Sequence, residues 1–129
     1  MNKKIFCFGS NARGIHGAGT AKIAAQQYGA KFGVGEGRTG NAYAIPTKIT
    51  PYKVRRLVDI RASVDMFLEY ARAHTDLEFH VVRIGCGLAG FSDEQIAPLF
   101  ADAPANCRFD PRWEKYGLPP WEEEPYDSR

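Results

Sequence analysis

The chain predicts an α/β fold, a central mixed or parallel sheet with helices on both faces. Three observations carry this expectation. Short apolar runs rich in β-branched and aromatic residues alternate with stretches of helical periodicity. The strand-like runs are followed by glycine-rich or polar loops, the arrangement in which ligands bind at the carboxyl edge of a sheet. The 129 residues, 44% hydrophobic and 25% charged, suit one globular core and exclude a disordered chain.

In chain order, Ile5-Phe6-Cys7-Phe8 reads as a buried strand stopped by Gly9. Residues 9–17 form a polar glycine loop. From about Ala18 the pattern turns helical: Ala21, Ala24, Ala25 and Tyr28 share one face, and Gly29 ends the helix. Residues 31–42 read as a glycine-rich loop, Tyr43-Ala44-Ile45 as a strand ended by Pro46-Thr47-Lys48. Ile60, Val64, Phe67, Leu68 and Ala71 predict a helix over about 59–74. Residues 79–84 form the clearest strand and run into Gly85-Cys86-Gly87-Leu88-Ala89-Gly90-Phe91. Ser92 or Asp93 caps a helix through about Phe100, and 107–109 is a last strand. The expected domain is 1–109, with 110–129 as an irregular acidic tail.

Several function classes fall away. No run of about 18 apolar residues exists to span a membrane. The apolar stretch after Met1-Asn2-Lys3-Lys4 is too short for a signal-peptide core, so a cytoplasmic location is expected. Cys7, Cys86 and Cys107 are odd in number and lack metal-ligand spacing, which argues against a disulfide scaffold or a zinc site. A net charge of +2 makes no case for nucleic acid. From Asp110 onward acidic residues outnumber basic ones by 6 to 3, so the preceding body is basic, which suits a small anion or an ordinary solvated surface.

Glycine is more informative. Nine of the 13 glycines lie between Gly9 and Gly40, and three more are Gly85, Gly87 and Gly90. Glycine permits positive φ and close backbone approach, so the two clusters read either as two loops facing one ligand or as two sets of tight turns. A Walker A loop is excluded because no Gly-Lys-Ser/Thr occurs. The dinucleotide fingerprint fails because its third glycine position is Lys22.

A third pattern fits. Phe8-Gly9-Ser10-Asn11 followed by His16-Gly17-Ala18-Gly19-Thr20-Ala21 resembles the first ligand loop of macro domains, the ADP-ribose-binding fold. Ala44-Ile45-Pro46-Thr47-Lys48 resembles a strand-end segment of that fold. Arg83-Ile84-Gly85-Cys86-Gly87-Leu88 is similar to the phosphate-wrapping loop of the branch that removes ADP-ribose from acidic side chains. The resemblance covers about residues 4–100, and the chain looks like a compact relative of phage or bacterial type. It implies a macro domain-like three-layer sandwich, an ADP-ribose-type small molecule or an ADP-ribosylated protein as partner, and neither metal nor cofactor. It leaves the oligomeric state open.

The resemblance assigns ligand contacts to Gly9, Ser10, Asn11, Gly17 and Gly19 in the first loop. In the second it assigns them to Gly85, Cys86, Gly87, Leu88, Ala89, Gly90 and Phe91. Backbone N–H groups of such loops and of a helix N-terminus can cradle a diphosphate without a lysine clamp. Asn11 would contact the terminal ribose, or simply form the turn. His16 could bind phosphate or move a proton, or bond to backbone within its loop. Lys48 matches a lysine that attacks the ribose anomeric carbon in that branch; the alternative is a surface lysine. The branch carries an aspartate directly after its GCGL string, and here that position is Ala89, which removes a proton-transfer partner. Asp93 could substitute only if the loop folds it back. Cys86 reads as packing rather than as a nucleophile, and Phe91 either stacks on the ligand or joins the core. Two functions follow: a hydrolase of ADP-ribosyl linkages depending on Lys48, Asn11, His16 and Asp93, or a non-catalytic module that sequesters an ADP-ribose-type nucleotide. A structural or nucleic-acid-binding role would have to explain both glycine loops by folding alone.

Overall fold

The computed structural model of the chain describes residues 3–126. Six strands form one mixed sheet: β1 (Lys3–Asn11), β2 (Gly37–Thr39), β3 (Ala42–Thr50), β4 (Lys53–Val54), β5 (Leu77–Val81) and β6 (Cys107–Phe109). The strand order is β2-β3-β1-β5-β6, with β4 paired to β3. The β1–β3, β1–β5 and β5–β6 pairs are parallel, while β2 and β4 run antiparallel to β3. Helices α1 (Gly19–Gln27), α2 (Leu57–Ala73) and the short α3 (Asp93–Ile96) complete the α/β sandwich. No helix among the described residues is long and apolar enough to cross a membrane.

Register separates the two faces. Cys7 pairs with Tyr43 and Val81, and Ile5 pairs with Phe79, so these side chains share one face. There Phe67 of α2 meets Tyr43 and Phe79 edge-on at 5.0 and 5.4 Å between ring centroids. On the opposite face Phe6 stacks on Tyr28, just past α1, at 4.8 Å. Both faces of the sheet are therefore covered: β1 carries a continuous apolar run at Ile5–Phe8, whereas β5 alternates, with Glu78 and His80 on the face of Phe6.

Several elements extend past or depart from their sequence expectation. Strand β1 continues through Gly9, Ser10 and Asn11, which were expected in the loop, because they pair with β3. Strand β3 likewise runs on through Pro46 to Thr50. Proline is tolerated in this strand because β2 pairs with β3 only as far as Ala44 and β4 only from Lys48 onward, so no ladder partner faces Pro46 on that side. The gap is bridged by Arg55, whose Nη1 donates to Pro46 O at 2.6 Å and to Ser63 Oγ at 2.9 Å. Strands β2 and β4, of three and two residues, are too short to give a periodic signal. The helix expected through Phe100 is α-helical only to Ile96, and a 3₁₀ turn with Pro98 follows.

The chain after Asp110, expected as an irregular acidic tail, is packed as far as Trp121. Residues Pro111–Tyr116 form a 3₁₀ turn whose Trp113 is fully buried against Phe100 and Phe109. Leu118 and Trp121 are buried too. The acidic count missed this because the two tryptophans and Leu118 supply the apolar area while Glu114, Glu122, Glu123 and Glu124 stay exposed.

His80 on β5 is buried, with its ring stacked on Trp121 at 14° and 6.3 Å. Burial lowers its pKa, and Lys4 and Arg108 add like charge, against the opposing pull of Glu78, 3.4 Å from Nε2. Below about pH 6.5 the unfolded chain takes up this proton before the folded one does, so stability falls with pH. The carboxylates Asp93 and Asp110, both with lowered pKa, act only below about pH 4. A melting-temperature profile should therefore decline from pH 7 to pH 5 in the parent and flatten in His80→Gln. Equal slopes in the two proteins would refute this origin.

Candidate functional site

The parallel strands β1, β3 and β5 end on the same edge, and a cleft of about 660 Å³ opens there. Its walls come from the end of β1 (Gly9, Ser10, Asn11), the entry to α1 (residues 17–21), the end of β3 (Thr47, Lys48, with Pro51 and Tyr52 after it) and the loop after β5. Ligands of open α/β sheets bind at this edge because the strand ends diverge into loops there.

One wall is the N-terminus of α1. Its N-cap is Ala18, which has no side-chain acceptor to satisfy the first-turn N–H groups, and no acidic residue occupies that turn. Helix α3 provides the contrast: Ser92 and Gln95 close a capping box over its N-terminus. Helix α1 thus presents unsatisfied donors and the positive end of its dipole to the cleft. The facing wall is the glycine loop at Gly85, Gly87, Leu88 and Ala89. Leu88 is 71% exposed, and its Cδ1 would lie 3.9 Å from a Cβ on Gly19, so the two loops come within side-chain reach.

The glycines divide by role. A Cβ on Gly17 or Gly87 would meet no atom within 4 Å. These two open cleft space. A Cβ on Gly35 would instead collide with the backbone carbonyls of Asn11 and Ala12, and one on Gly14 with the backbone of Gly33 and Val34. Ser10 Oγ donates to Gly35 O, and Gly33 N donates to Gly14 O at 2.9 Å. The 31–37 segment is therefore a brace pressed against the loop at residues 9–17.

Not every expected residue reaches the cleft. Asn11 lines it, but its amide is engaged: Nδ2 donates to Ile15 O at 2.9 Å and Oδ1 accepts from Ile15 N at 3.1 Å. Its turn-forming role is thus realised. His16 lies beneath the loop, outside the cleft wall. It is buried edge-on to Phe8 at 5.3 Å, with Nε2 at 3.1 Å from Lys31 O and Nδ1 without a partner. Asp93 does not fold back into the cleft. Arg83 Nε and Nη2 grip both its oxygens at 2.8 and 2.9 Å, and Trp113 Nε1 donates at 2.7 Å. The Arg83 bonds hold its pKa down to about 2, leaving a permanent carboxylate with no proton to give near neutrality.

Cys86 is half-buried and its thiol is pushed up to about 12, first by burial and then by Asp93, so it is not a nucleophile at neutral pH. Phe91 packs on Gly85 and the core behind the loop, and Gly90 closes a turn onto Gly87 O at 3.0 Å. Lys48 does line the cleft, with Nζ donating to Pro51 O at 3.1 Å. Thr20, Thr47, Pro51, Tyr52 and Arg83 also line it and were not singled out as site residues. Tyr52 could have been found from Thr50-Pro51-Tyr52-Lys53, a proline turn carrying an aromatic directly after the Lys48 strand end. Among the described residues no group of His, Cys, Asp or Glu is placed to hold a metal ion.

No protein-family model matches the sequence, and no curated protein matches it either. Solved structures do. A protein of unknown function from Bacteroides thetaiotaomicron aligns with a TM-score of 0.63 at 19% identity, over 79% of this chain and 80% of its own. A macrodomain protein from Streptomyces coelicolor aligns at 0.55 and 18% identity, over 85% of this chain and 89% of its own. The fold is macrodomain-like. A third neighbour, DarTG of Thermosipho africanus, was solved in complex with ADP-ribose. It aligns at 0.61 and 13% identity, over 86% of this chain but only 39% of that one.

Proposed function

We propose that this chain binds ADP-ribose or a related NAD-derived nucleotide, with the diphosphate between the start of α1 and the loop at residues 85–90. The observation that carries the reading is the uncapped N-terminus of α1 in the cleft wall, opposite a second glycine loop. The structural likeness to a protein solved with ADP-ribose supports the same ligand class. Calorimetric titration with ADP-ribose, NAD, ADP and cyclic ADP-ribose tests it. Binding of ADP-ribose, with a matching rise in melting temperature, is expected. Absence of binding to all four would overturn it.

Sequestration is favoured over hydrolysis. Ala89 supplies no carboxylate, Asp93 is committed to Arg83 and Trp113, and His16 lies outside the cleft wall. The hydrolytic reading rests on Lys48, which lines the cleft with its amine donating to Pro51 O. Freed of that bond and neutral, the amine would attack the anomeric carbon and displace the protein's carboxylate, and water would then release the ribose from the lysine. A positioned acid or base is typically worth about 10²–10⁴-fold in rate, so turnover without one is slow at best. In single-turnover assays on ADP-ribosylated protein, Lys48→Ala should abolish any activity while changing ADP-ribose affinity little. Ala89→Asp should raise it. Full activity in Lys48→Ala would exclude the covalent lysine route.

A further inference from the structure

The glycine loop after β5 has little packing at its tip to hold its shape. A Cβ on Gly87 or Gly90 would meet no atom within 4 Å, and Leu88 between them is 71% exposed. Glycine loses more backbone freedom on ordering than any other residue, so such a loop is ordered at high entropic cost. Within it run tight turns only: Cys86 N donates to Arg83 O at 3.2 Å, Gly90 N to Gly87 O at 3.0 Å and Phe91 N to Gly85 O at 2.8 Å.

The loop is tied at its stems. Arg83 precedes it and lines the cleft, and Asp93 follows it as the first residue of α3. Arg83 Nε and Nη2 donate to Asp93 Oδ1 and Oδ2 at 2.8 and 2.9 Å, a bidentate pair that joins one stem to the other. The two side chains are 26% and 20% exposed, so salt and water screen this pair less than an ion pair on the open surface. Asp93 is held by a third donor as well. Trp113 Nε1 donates to its Oδ1 at 2.7 Å, and Trp113 is itself fully buried against Phe100 and Phe109. Neither Asp93 nor Trp113 lines the cleft.

Resting on the diphosphate-binding reading above, we propose that Asp93 is a positioning residue for this loop. Through Arg83 it holds the loop amides in the arrangement that receives the diphosphate, and the C-terminal turn carrying Trp113 holds Asp93. A loop already ordered in the free protein takes its ligand without losing affinity to the fraction of chains in which it stands open. The same ion pair sets the charge of the wall. Asp93 neutralises the guanidinium of Arg83, so the loop meets phosphate through backbone N–H groups and not through a free cation. A second bond joins the same two elements, from Tyr116 Oη to Glu94 Oε1 at 2.9 Å, but it is exposed and does not touch Asp93. It serves as an internal control.

Amide hydrogen exchange of the free protein and titration with ADP-ribose, both well below the melting temperature, test this on the parent and its variants. Asp93→Asn keeps the size of the side chain and weakens its grip on Arg83. It should speed exchange at residues 85–91 about tenfold or more, with α2 less affected, and weaken ADP-ribose about 5- to 150-fold. Trp113→Phe removes the donor and keeps a ring in the core, and should do the same to a smaller degree. Tyr116→Phe should match the parent in both measurements. Arg83→Gln combined with Asp93→Asn should bind within about twofold of the weaker single variant, because the two side chains act as one unit. An Asp93→Asn chain that binds within about twofold of the parent, or more tightly, would overturn the proposal, as would acceleration of exchange that is uniform along the chain. Losses that multiply in the double variant would overturn it too, since Arg83 would then contact the ligand on its own account. Parent behaviour in Trp113→Phe would overturn the part assigned to the C-terminal turn. A parent that does not bind ADP-ribose overturns the diphosphate reading itself, while the exchange rates still show whether Asp93 orders the loop.

Discussion

Gly87→Val should leave the fold intact and lower ADP-ribose affinity by about 100-fold or more, equivalent to ~2.7 kcal/mol. Gly87 is not among the glycines with positive φ, so a valine there meets no left-handed backbone. Its Cβ would meet no atom within 4 Å, so the protein itself has no clash to relieve. The space that valine fills is cleft space, and the backbone amides of the loop are then screened from an approaching phosphate. Circular dichroism and melting temperature check the first half of the expectation, and calorimetry the second. A folded variant that binds as tightly as the parent would place the diphosphate elsewhere.

Gly35→Ala should do the opposite. Its added methyl would meet Asn11 O and Ala12 O, the latter at 2.6 Å, and both are backbone atoms where β1 passes into the following loop. No side chain can rotate out of the way, so the brace and the loop must separate. Overpacking of this kind costs about 1–3 kcal/mol, or roughly 3–12 °C in melting temperature for a domain of this size. The separation would also weaken the Ser10–Gly35 hydrogen bond and disturb the cleft floor. Gly17→Ala is the matched control: its Cβ meets nothing, and fewer unfolded conformations make it neutral to slightly stabilising. Thermal melts of the two single-methyl variants should differ by several degrees in the stated direction. Equal melting temperatures would show that the 31–37 segment does not brace the loop.

These two variants mark where sequence reading runs out. Both positions are glycine, both lie in glycine-dense stretches, and composition weighs them alike. One opens cleft space and the other lets two backbones touch. Only the neighbours brought in by the β1–β3 pairing and the fold of residues 31–37 tell them apart. The same limit applies to Asp93. It stands beside the second loop in sequence, which made it a candidate proton carrier. Its partners Arg83 and Trp113 are 10 and 20 residues away, and Trp113 lies in a segment whose acidity suggested a tail. His16 shares that fate, since its position next to Gly17 does not show that Lys31 O will claim its ring nitrogen.

Local pattern by itself determined the α/β class, the three central strands, helix α2 with its face of Ile60, Val64, Phe67, Leu68 and Ala71, and the glycine clusters at strand ends, while Lys48, expected after a strand, lies within β3. Those features follow from periodicity and from glycine's backbone freedom, which act over a few residues and are written in neighbouring positions. The tertiary structure decided the short strands β2 and β4, the burial of Trp113 and Trp121, and which expected site residues face the cleft. It also placed Tyr52 at the mouth. Each of these depends on atoms that meet across long stretches of chain, so its energy resides in pairs of distant residues and is legible only once the sheet has brought them together.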